Sequence, residues 1–175
     1  VSSAASDVYK RQAHTHQRPQ SNQCSFTCGP TLVLQTQFNE LKRLLAMSKL
    51  YNLFVYGTLR RGCHNHFFMR DAKYISHGRT QESMCLVAHV DYKVPLTWPD
   101  PNGQTLRGEL YEIDERSIMP IHRMEVNSGY EAKWMTIVKD DSQVSRALVY
   151  CHPPTDNRHF VKIAHGDFMD WYYHR

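Results

Sequence analysis

The sequence predicts an α+β fold in which several short β-strands form a small barrel with short helices beside it. The β-prone segments are short, and turn-forming residues such as those of Pro99–Gly103 separate them. With 175 residues, 41% hydrophobic and 22% charged, the chain fits one globular core. Its apolar runs are far shorter than the roughly 20 residues that cross a bilayer, so no membrane partner is expected.

The first predicted strand is Leu50–Tyr56, a β-prone run that ends at Gly57. A short helix is predicted near Asn65–Arg70, with Asn65 and His66 beginning and stabilising it. Four further short segments have strand character. They are Met84–His89, Leu106–Ile113, Trp134–Lys139 and Ala147–Cys151.

A helix is predicted between the strand segments Leu106–Ile113 and Trp134–Lys139. Asp114 can accept backbone N–H groups at its start, and acidic residues suit a first turn. Pro120 predicts that this helix is broken or begins late, because proline lacks the N–H that an interior turn needs. The aromatic segment Phe168–Tyr173 is predicted to pack back on the sheet.

Residues 1–46 are predicted to be a disordered or artefactual extension, and residues 47–175 the folded domain. The first 31 residues have few large apolar groups to offset the entropy of ordering them. The apolar residues of 32–45 recur at helical spacing. This spacing fits a helix, and it equally fits untranslated sequence in which the spacing arises by chance. The chain begins with Val1 and shows no secretory signal, so Met47 is the expected natural start and the cytoplasm the expected location.

The net charge of +4 is concentrated in the predicted extension. Residues 1–46 hold five basic and two acidic side chains, which leaves a net charge of +1 for residues 47–175. Binding to a phosphate backbone requires many neutralising charges, so a nucleic-acid partner is not expected.

Cysteine and histidine positions give no sign of a disulfide framework or a metal centre. The five cysteines have no regular spacing and are interpreted as reduced thiols. Cys63, His64 and His66 lie together, but no second ligand group accompanies them as structural zinc requires. No metal and no cofactor are therefore expected.

The first strand leads directly into a glycine loop formed by Tyr56, Gly57, Thr58 and Leu59. Successive backbone N–H groups freed at such a loop can form an anion-binding concavity. On spacing alone, a strand that ends at glycine is more often only a turn.

Two longer motifs identify a resemblance. The segment Tyr56–Gly62, followed by Asn65 and His66, resembles the opening signature of the γ-glutamylcyclotransferase-like family, especially its γ-glutamylamine cyclotransferase branch. The segment Gly108–Arg116 resembles the strand-to-helix segment of that family. Counting on from it places Glu125 where the family has its catalytic glutamate.

The resemblance implies a mixed β-barrel and an enzyme without a cofactor. Such an enzyme converts a γ-glutamyl amine, for example γ-glutamyl-ε-lysine, to 5-oxoproline and a free amine, which is a carbon–nitrogen lyase or cyclising transfer reaction. Glu125 is implied as the general acid and base, and the Tyr56–Leu59 loop as the binding site for the glutamyl group and the oxyanion. Val94 and Pro95 fall in a segment that lines the substrate, and Tyr130 is a lesser candidate for orienting it.

A second hypothesis is a non-catalytic module of the same fold that binds a small ligand or a protein. It is motivated by His122, Arg123 and Val126, which differ from the residues that the family often has around its glutamate. The geometry of the site separates the two hypotheses. A catalytic domain should have Glu125 and the Tyr56–Leu59 backbone in one pocket.

Overall fold

A computed structural model describes residues 49–155 and 158–174. The predicted extension over residues 1–46, its helix at 32–45 and the expected start at Met47 lie outside these residues. No helix of the described ranges is long and apolar enough to cross a membrane. The elements are β1 Leu50–Val55, a 3-10 helix His66–Met69, β2 Lys73–His89, β3 Pro95–Pro99, β4 Gln104–Asp114, α1 Glu115–Asn127, β5 Glu131–Lys139, β6 Val144–Cys151, β7 Phe160–Lys162 and α2 Phe168–Tyr173.

Five strands close into a barrel in the order β2, β4, β1, β6 and β5, and β5 returns to pair with β2. The pair of β1 and β6 is parallel, whereas the other barrel pairs are antiparallel. The two remaining strands, β3 and β7, pair with the far end of β2. The α+β prediction and the mixed barrel are therefore confirmed.

The core consists of two clusters on the two faces of the barrel wall. Along β1, Phe54 belongs to one cluster, while Leu53 and Val55 on either side of it belong to the other. This alternation follows from the two-residue period of a strand. Ile118 and Ile121 of α1 pack into the second cluster, so α1 covers one outer face of the wall.

The parallel pair of β1 and β6 determines where the site forms. Leu53 of β1 lies opposite Leu148 of β6, and both strands run in the same direction. The residues that follow β1 and the residues at the end of β6 therefore meet at one end of the barrel. The hydroxyl of Tyr56 accordingly donates a hydrogen bond to the carbonyl oxygen of Tyr150 at 2.9 Å.

The expected break at Pro120 is wrong, because α1 continues through it from Glu115 to Asn127. The start of the helix is as predicted, since the Asp114 carboxylate accepts from the Ser117 amide at 2.8 Å. Burial of Ile118 and Ile121 fixes the helix on both sides of the proline. Pro120 itself lies on the exposed face, where water can bond the carbonyl that loses its N–H partner.

The strand β2 is much longer than the predicted Met84–His89, and β3 and β7 were not predicted. The first half of β2 is largely polar and half-exposed, so it lacks the apolar pattern by which a strand is recognised. The strand β3 begins and ends with proline, which is compatible only with an edge position. The aromatic segment at the end of the chain forms α2, with Phe168 buried and Trp171 and Tyr172 packed on the core, as predicted.

Candidate active site

Glu125 lies in the last turn of α1, among the side chains of three tyrosines. Its charge acts on the hydroxyls of Tyr56, Tyr130 and Tyr150 and contributes to raising the pKa of each, after the larger effect of burial. Burial also raises the pKa of Glu125 itself from 4.5 to about 7. No Lys, Arg or His of the described ranges forms an ion pair with this carboxylate. The carboxylate therefore exchanges its proton near neutral pH.

The three tyrosines are buried and form the walls of this site. The Tyr56 hydroxyl donates to the Tyr150 carbonyl, as described above, and the Tyr130 hydroxyl donates to the Pro95 carbonyl at 2.7 Å. The Tyr150 hydroxyl is hydrogen-bonded to Nδ1 of His122 at 3.1 Å. These bonds fix the rings, so the carboxylate faces a preorganised polar but uncharged surface.

The loop after β1 is tied down by its carbonyl groups and one side chain. The Gly57 carbonyl accepts from the Arg60 amide at 3.0 Å, and the Leu59 carbonyl accepts from His66 Nδ1 at 2.9 Å. The Thr58 hydroxyl accepts from the Asn65 side-chain amide at 3.1 Å. Within the described part of the chain, no acceptor bonds the backbone N–H groups of Gly57, Thr58 and Leu59.

The prediction that Asn65 caps the short helix is wrong in its mechanism. Asn65 occupies the N-cap position of the 3-10 helix His66–Met69, but its side chain makes no capping hydrogen bond. It reaches back to Thr58 instead, and His66 reaches back to Leu59. Both residues hold the loop in place rather than the helix.

Pro95 packs directly against the loop. A Cβ added to Gly57 would lie 2.4 Å from Cγ of Pro95, so only glycine permits this approach. Val94, which precedes Pro95, is half-buried and packs on the same cluster as Tyr130. All the residues singled out from the sequence therefore belong to one region. They are Glu125, Tyr56, Gly57, Thr58, Leu59, Val94, Pro95 and Tyr130.

Sequence reasoning missed His122 and Tyr150 as members of this site. His122 lies one turn before Glu125 on α1, and its ring contacts the ring of Tyr150 with centroids 6.0 Å apart. A spacing of three residues on a helix places His122 and Glu125 on the same face. This spacing could have identified His122 from the sequence. The position of Tyr150 depends on the parallel pairing of β6 with β1 and had no local signal.

Sequence reasoning also missed a buried charged network beneath the loop. Arg60, Glu109 and Asp167 are only 6%, 3% and 7% exposed. The Arg60 guanidinium lies 2.6 Å from Oδ1 of Asp167 and 3.6 Å from Oε1 of Glu109. Glu109 also accepts from the Arg61 amide at 3.2 Å and from the Tyr111 hydroxyl at 2.8 Å. This network connects the end of the loop to β4 and to the start of α2.

A surface groove of about 400 Å³ lies between the 3-10 helix and the first half of α1. Its lining does not include Glu125 or the loop after β1. The groove is formed by Phe67, Phe68, Arg70, Asp71, Arg116, Ser117 and Pro120. None of the site residues predicted from the sequence lines this groove.

Comparison with known proteins identifies sequence relatives of this chain. A putative γ-glutamylcyclotransferase of Methanocaldococcus jannaschii is 27% identical over 121 residues, which cover 68% of this chain and 96% of that protein. Human γ-glutamylaminecyclotransferase is 39% identical over 72 residues, which cover 38% of this chain and 47% of that protein. The chain thus matches about half of the human protein.

Solved structures share the fold. A mouse AIG2-like protein superposes with a TM-score of 0.60 at 26% identity, covering 67% of this chain and 87% of that one. An uncharacterized protein from Pyrococcus horikoshii gives a TM-score of 0.57 at 22% identity, covering 71% of this chain and 94% of that one. The family model described as "Gamma-glutamyl cyclotransferase, AIG2-like" matches residues 53–170, which include Glu125, the loop after β1 and the buried network. The chain therefore belongs to the gamma-glutamyl cyclotransferase, AIG2-like family.

Proposed function

We propose that this protein is a cyclotransferase that converts a γ-glutamyl amine to 5-oxoproline and a free amine, with Glu125 as general acid and base. One observation carries the proposal. A carboxyl group whose pKa is raised to about 7 acts electrostatically on Tyr56, the first residue of the loop whose backbone N–H groups lack acceptors among the described residues. The interaction of Glu125 with Tyr56 supports the catalytic hypothesis over the binding-module hypothesis.

The reaction requires one proton acceptor and no external nucleophile. The α-amino nitrogen of the glutamyl group attacks its own γ-carbonyl carbon, which closes the five-membered lactam, and the original bond from that carbon to the leaving amine breaks. The α-ammonium nitrogen loses two protons on becoming the lactam N–H: Glu125 accepts one before the attack and one after it, and passes each to the departing nitrogen, which leaves as an ammonium group. A pKa near 7 suits both steps, because neither protonation state of Glu125 is strongly favoured at neutral pH.

The loop supplies donors for the charge that develops on the γ-carbonyl oxygen. The N–H groups of Gly57, Thr58 and Leu59 are successive donors on a loop held by Arg60, Asn65 and His66. Each preorganised donor of this kind typically contributes about 3 kcal/mol to stabilising the transition state. The loop also holds the glutamyl chain bent, which gives the internal amine a high effective concentration.

Tyr130 and Pro95 form the opposite wall. Because the Tyr130 hydroxyl donates to the Pro95 carbonyl, its lone pairs remain available to accept from the substrate α-ammonium. Val94 and Pro95 offer apolar surface to the methylene groups of the glutamyl chain. Preference for a γ-glutamyl amine such as γ-glutamyl-ε-lysine is supported by the similarity to human γ-glutamylaminecyclotransferase.

The test is to incubate the purified chain with γ-glutamyl-ε-lysine and measure 5-oxoproline and lysine. Glu125→Gln should lower kcat by about 10² to 10⁴-fold, because Gln cannot transfer the proton. Glu131→Gln is the matched control, since Glu131 is exposed on β5 and should keep the wild-type rate. Equal turnover by Glu125→Gln and wild type would refute the role of Glu125.

Substrate choice is tested separately with γ-glutamyl-alanine and γ-glutamyl amines of different chain lengths. Turnover of γ-glutamyl amino acids in preference to the amines would leave the cyclotransferase assignment intact and overturn the proposed substrate class. Absence of 5-oxoproline with every γ-glutamyl compound would instead support the non-catalytic binding module.

A further inference from the structure

Three side chains with metal-binding atoms meet at the end of β2, away from the residues assigned to catalysis. They are His89, the last residue of β2, Asp91 in the turn that follows, and His159, which precedes β7. One ligand atom from each lies within 4.8 Å of the other two. We propose that this cluster, the His89 cluster, binds one divalent transition-metal ion such as Zn²⁺ through two imidazole nitrogens and one carboxylate oxygen.

The backbone holds the three residues together without a metal. His89 lies opposite Phe160 in the antiparallel pair of β2 and β7, and the Val90 amide donates to the His159 carbonyl at 3.0 Å. The turn is closed by the His89 amide, which donates to the Val94 carbonyl at 2.9 Å, and by the Lys93 amide, which donates to the His89 carbonyl at 2.9 Å. The ligand set is therefore positioned by the fold, which lowers the entropy cost of forming a site.

The two imidazole rings are stacked neighbours, and since a metal lies in the plane of each imidazole that binds it, the exposed His159 ring must rotate before both rings can bind one ion. Their planes are within 7° of parallel and their centroids lie 5.7 Å apart. The ring of His89 is oriented by Phe160, which meets it edge-on at 5.0 Å, and by Tyr92 at 4.7 Å. Nδ1 of His89 is 3.3 Å from the Asp91 amide and 3.4 Å from the Tyr92 amide. These hydrogen bonds are long, and both amides belong to exposed residues, so water can accept from them when a metal ion binds Nδ1.

The donor types select the class of metal. Two imidazoles and a carboxylate suit Zn²⁺, Cu²⁺ or Ni²⁺, whereas Mg²⁺ and Ca²⁺ prefer oxygen ligands alone. Ligands about 2.0 to 2.1 Å from a tetrahedral Zn²⁺ lie roughly 3.4 Å from one another. The ligand atoms now lie within 4.8 Å of one another, and Asp91 and His159 are exposed, so rotation of their side chains can bring these atoms to the shorter spacing. Water would complete the coordination of the ion.

The proposal is independent of the catalytic assignment, because none of the three residues contacts Glu125 or the loop after β1 in any interaction described above. Its nearest relation to the active site is the turn itself, since the His89 amide bonds the Val94 carbonyl and the chain then continues into Pro95. A failure of the metal proposal would leave the cyclotransferase proposal unaffected, and the reverse also holds.

Residue-specific NMR tests the proposal on the full chain. ¹⁵N-labelled protein is titrated with Zn²⁺ and, separately, with a substoichiometric amount of paramagnetic Cu²⁺. We expect Zn²⁺ to shift, and Cu²⁺ to broaden, the amide signals of His89, Asp91 and His159. This readout distinguishes the His89 cluster from other histidines such as His14 and His16. Signals of the His89 cluster that respond to neither ion would overturn the proposal.

The ligand assignment is tested with His89→Asn and His159→Asn. Each should weaken Zn²⁺ binding at the His89 cluster by at least about 10-fold, since even the loss of an outer partner of a metal ligand commonly costs that much. Signal dispersion in the same spectra reports whether each variant folds, and the exposed His159 provides the variant least coupled to folding. His165→Asn, also exposed, is the control and should keep wild-type affinity. Unchanged affinity in His159→Asn would overturn the assignment.

Discussion

The molecule contains two acidic regions, one buried and one half-buried, that differ in whether their charges are paired. In the network beneath the loop, Arg60 lies between the carboxylates of Glu109 and Asp167. In the candidate active site, Glu125 lies among neutral tyrosines, no described cation pairs with it, and burial raises its pKa to about 7. The paired region fixes the geometry of the loop, and the unpaired carboxyl remains able to exchange a proton.

The largest effect on stability should come from breaking the paired region. Arg60→Met leaves Glu109 and Asp167 buried without their shared cation, and removing one partner of a buried pair typically costs about 3 to 5 kcal/mol. Urea denaturation should show this loss in the free energy of unfolding. Arg61→Met is the matched control. The Arg61 side chain lies over the Tyr74 ring at 4.0 Å, and its loss should cost about 1 kcal/mol or less. Similar losses for the two variants would refute the structural importance of the network.

Removing the charge of the unpaired Glu125 should raise the free energy of unfolding, whereas removing the charge of Arg60 should lower it. Folding raises the pKa of Glu125 from 4.5 to about 7, so the ionised carboxyl destabilises the folded state. Stability is therefore lost as pH rises from about 4.5 to about 7. Glu125→Gln should be more stable than wild type at pH 8 by up to about 3 kcal/mol, and this advantage should vanish near pH 4. A Glu125→Gln variant that is less stable than wild type at pH 8 would contradict the unpaired description.

The same titration should appear in the kinetics. Since Glu125 acts as base when ionised, kcat/KM should fall about tenfold for each pH unit below the raised pKa of about 7. The measurement is the rate of 5-oxoproline formation between pH 5 and pH 8. A flat profile over this range would mean that Glu125 does not control the proton transfer.

A smaller loss of stability is expected from removing the neutral hydrogen bond between Tyr130 and the Pro95 carbonyl. Tyr130→Phe removes the bond to the Pro95 carbonyl and should lower the free energy of unfolding by about 1 kcal/mol. It should also raise KM, because the wall facing the substrate loses its fixed position. Tyr173→Phe is the control, since its exposed hydroxyl makes only a 3.3 Å bond to Gly62. Equal KM values for the two variants would argue against a role for Tyr130 in substrate binding.

The sequence was a good guide where local chemistry controls structure. The cap at Asp114, the first strand and the packing of the C-terminal aromatic segment on the core were all predicted and are all present. The predictions failed where packing overrides a local preference. Pro120 lies inside a continuous helix because Ile118 and Ile121 are buried on the core, and Asn65 bonds the loop instead of capping its helix.

By itself, the sequence determined the order of the main elements and, through its motifs, the choice of Glu125 and of the Tyr56–Leu59 loop. The order of elements and these motifs depend on residues that are close together in the sequence, so they can be recognised without the fold. Only the tertiary structure decided that Tyr150 and His122 belong beside Glu125, that Arg60 pairs with Asp167, and that His89 and His159 meet. Each of these contacts joins distant segments through strand pairing or barrel closure, and burial, which raises the Glu125 pKa, exists only once those segments have packed.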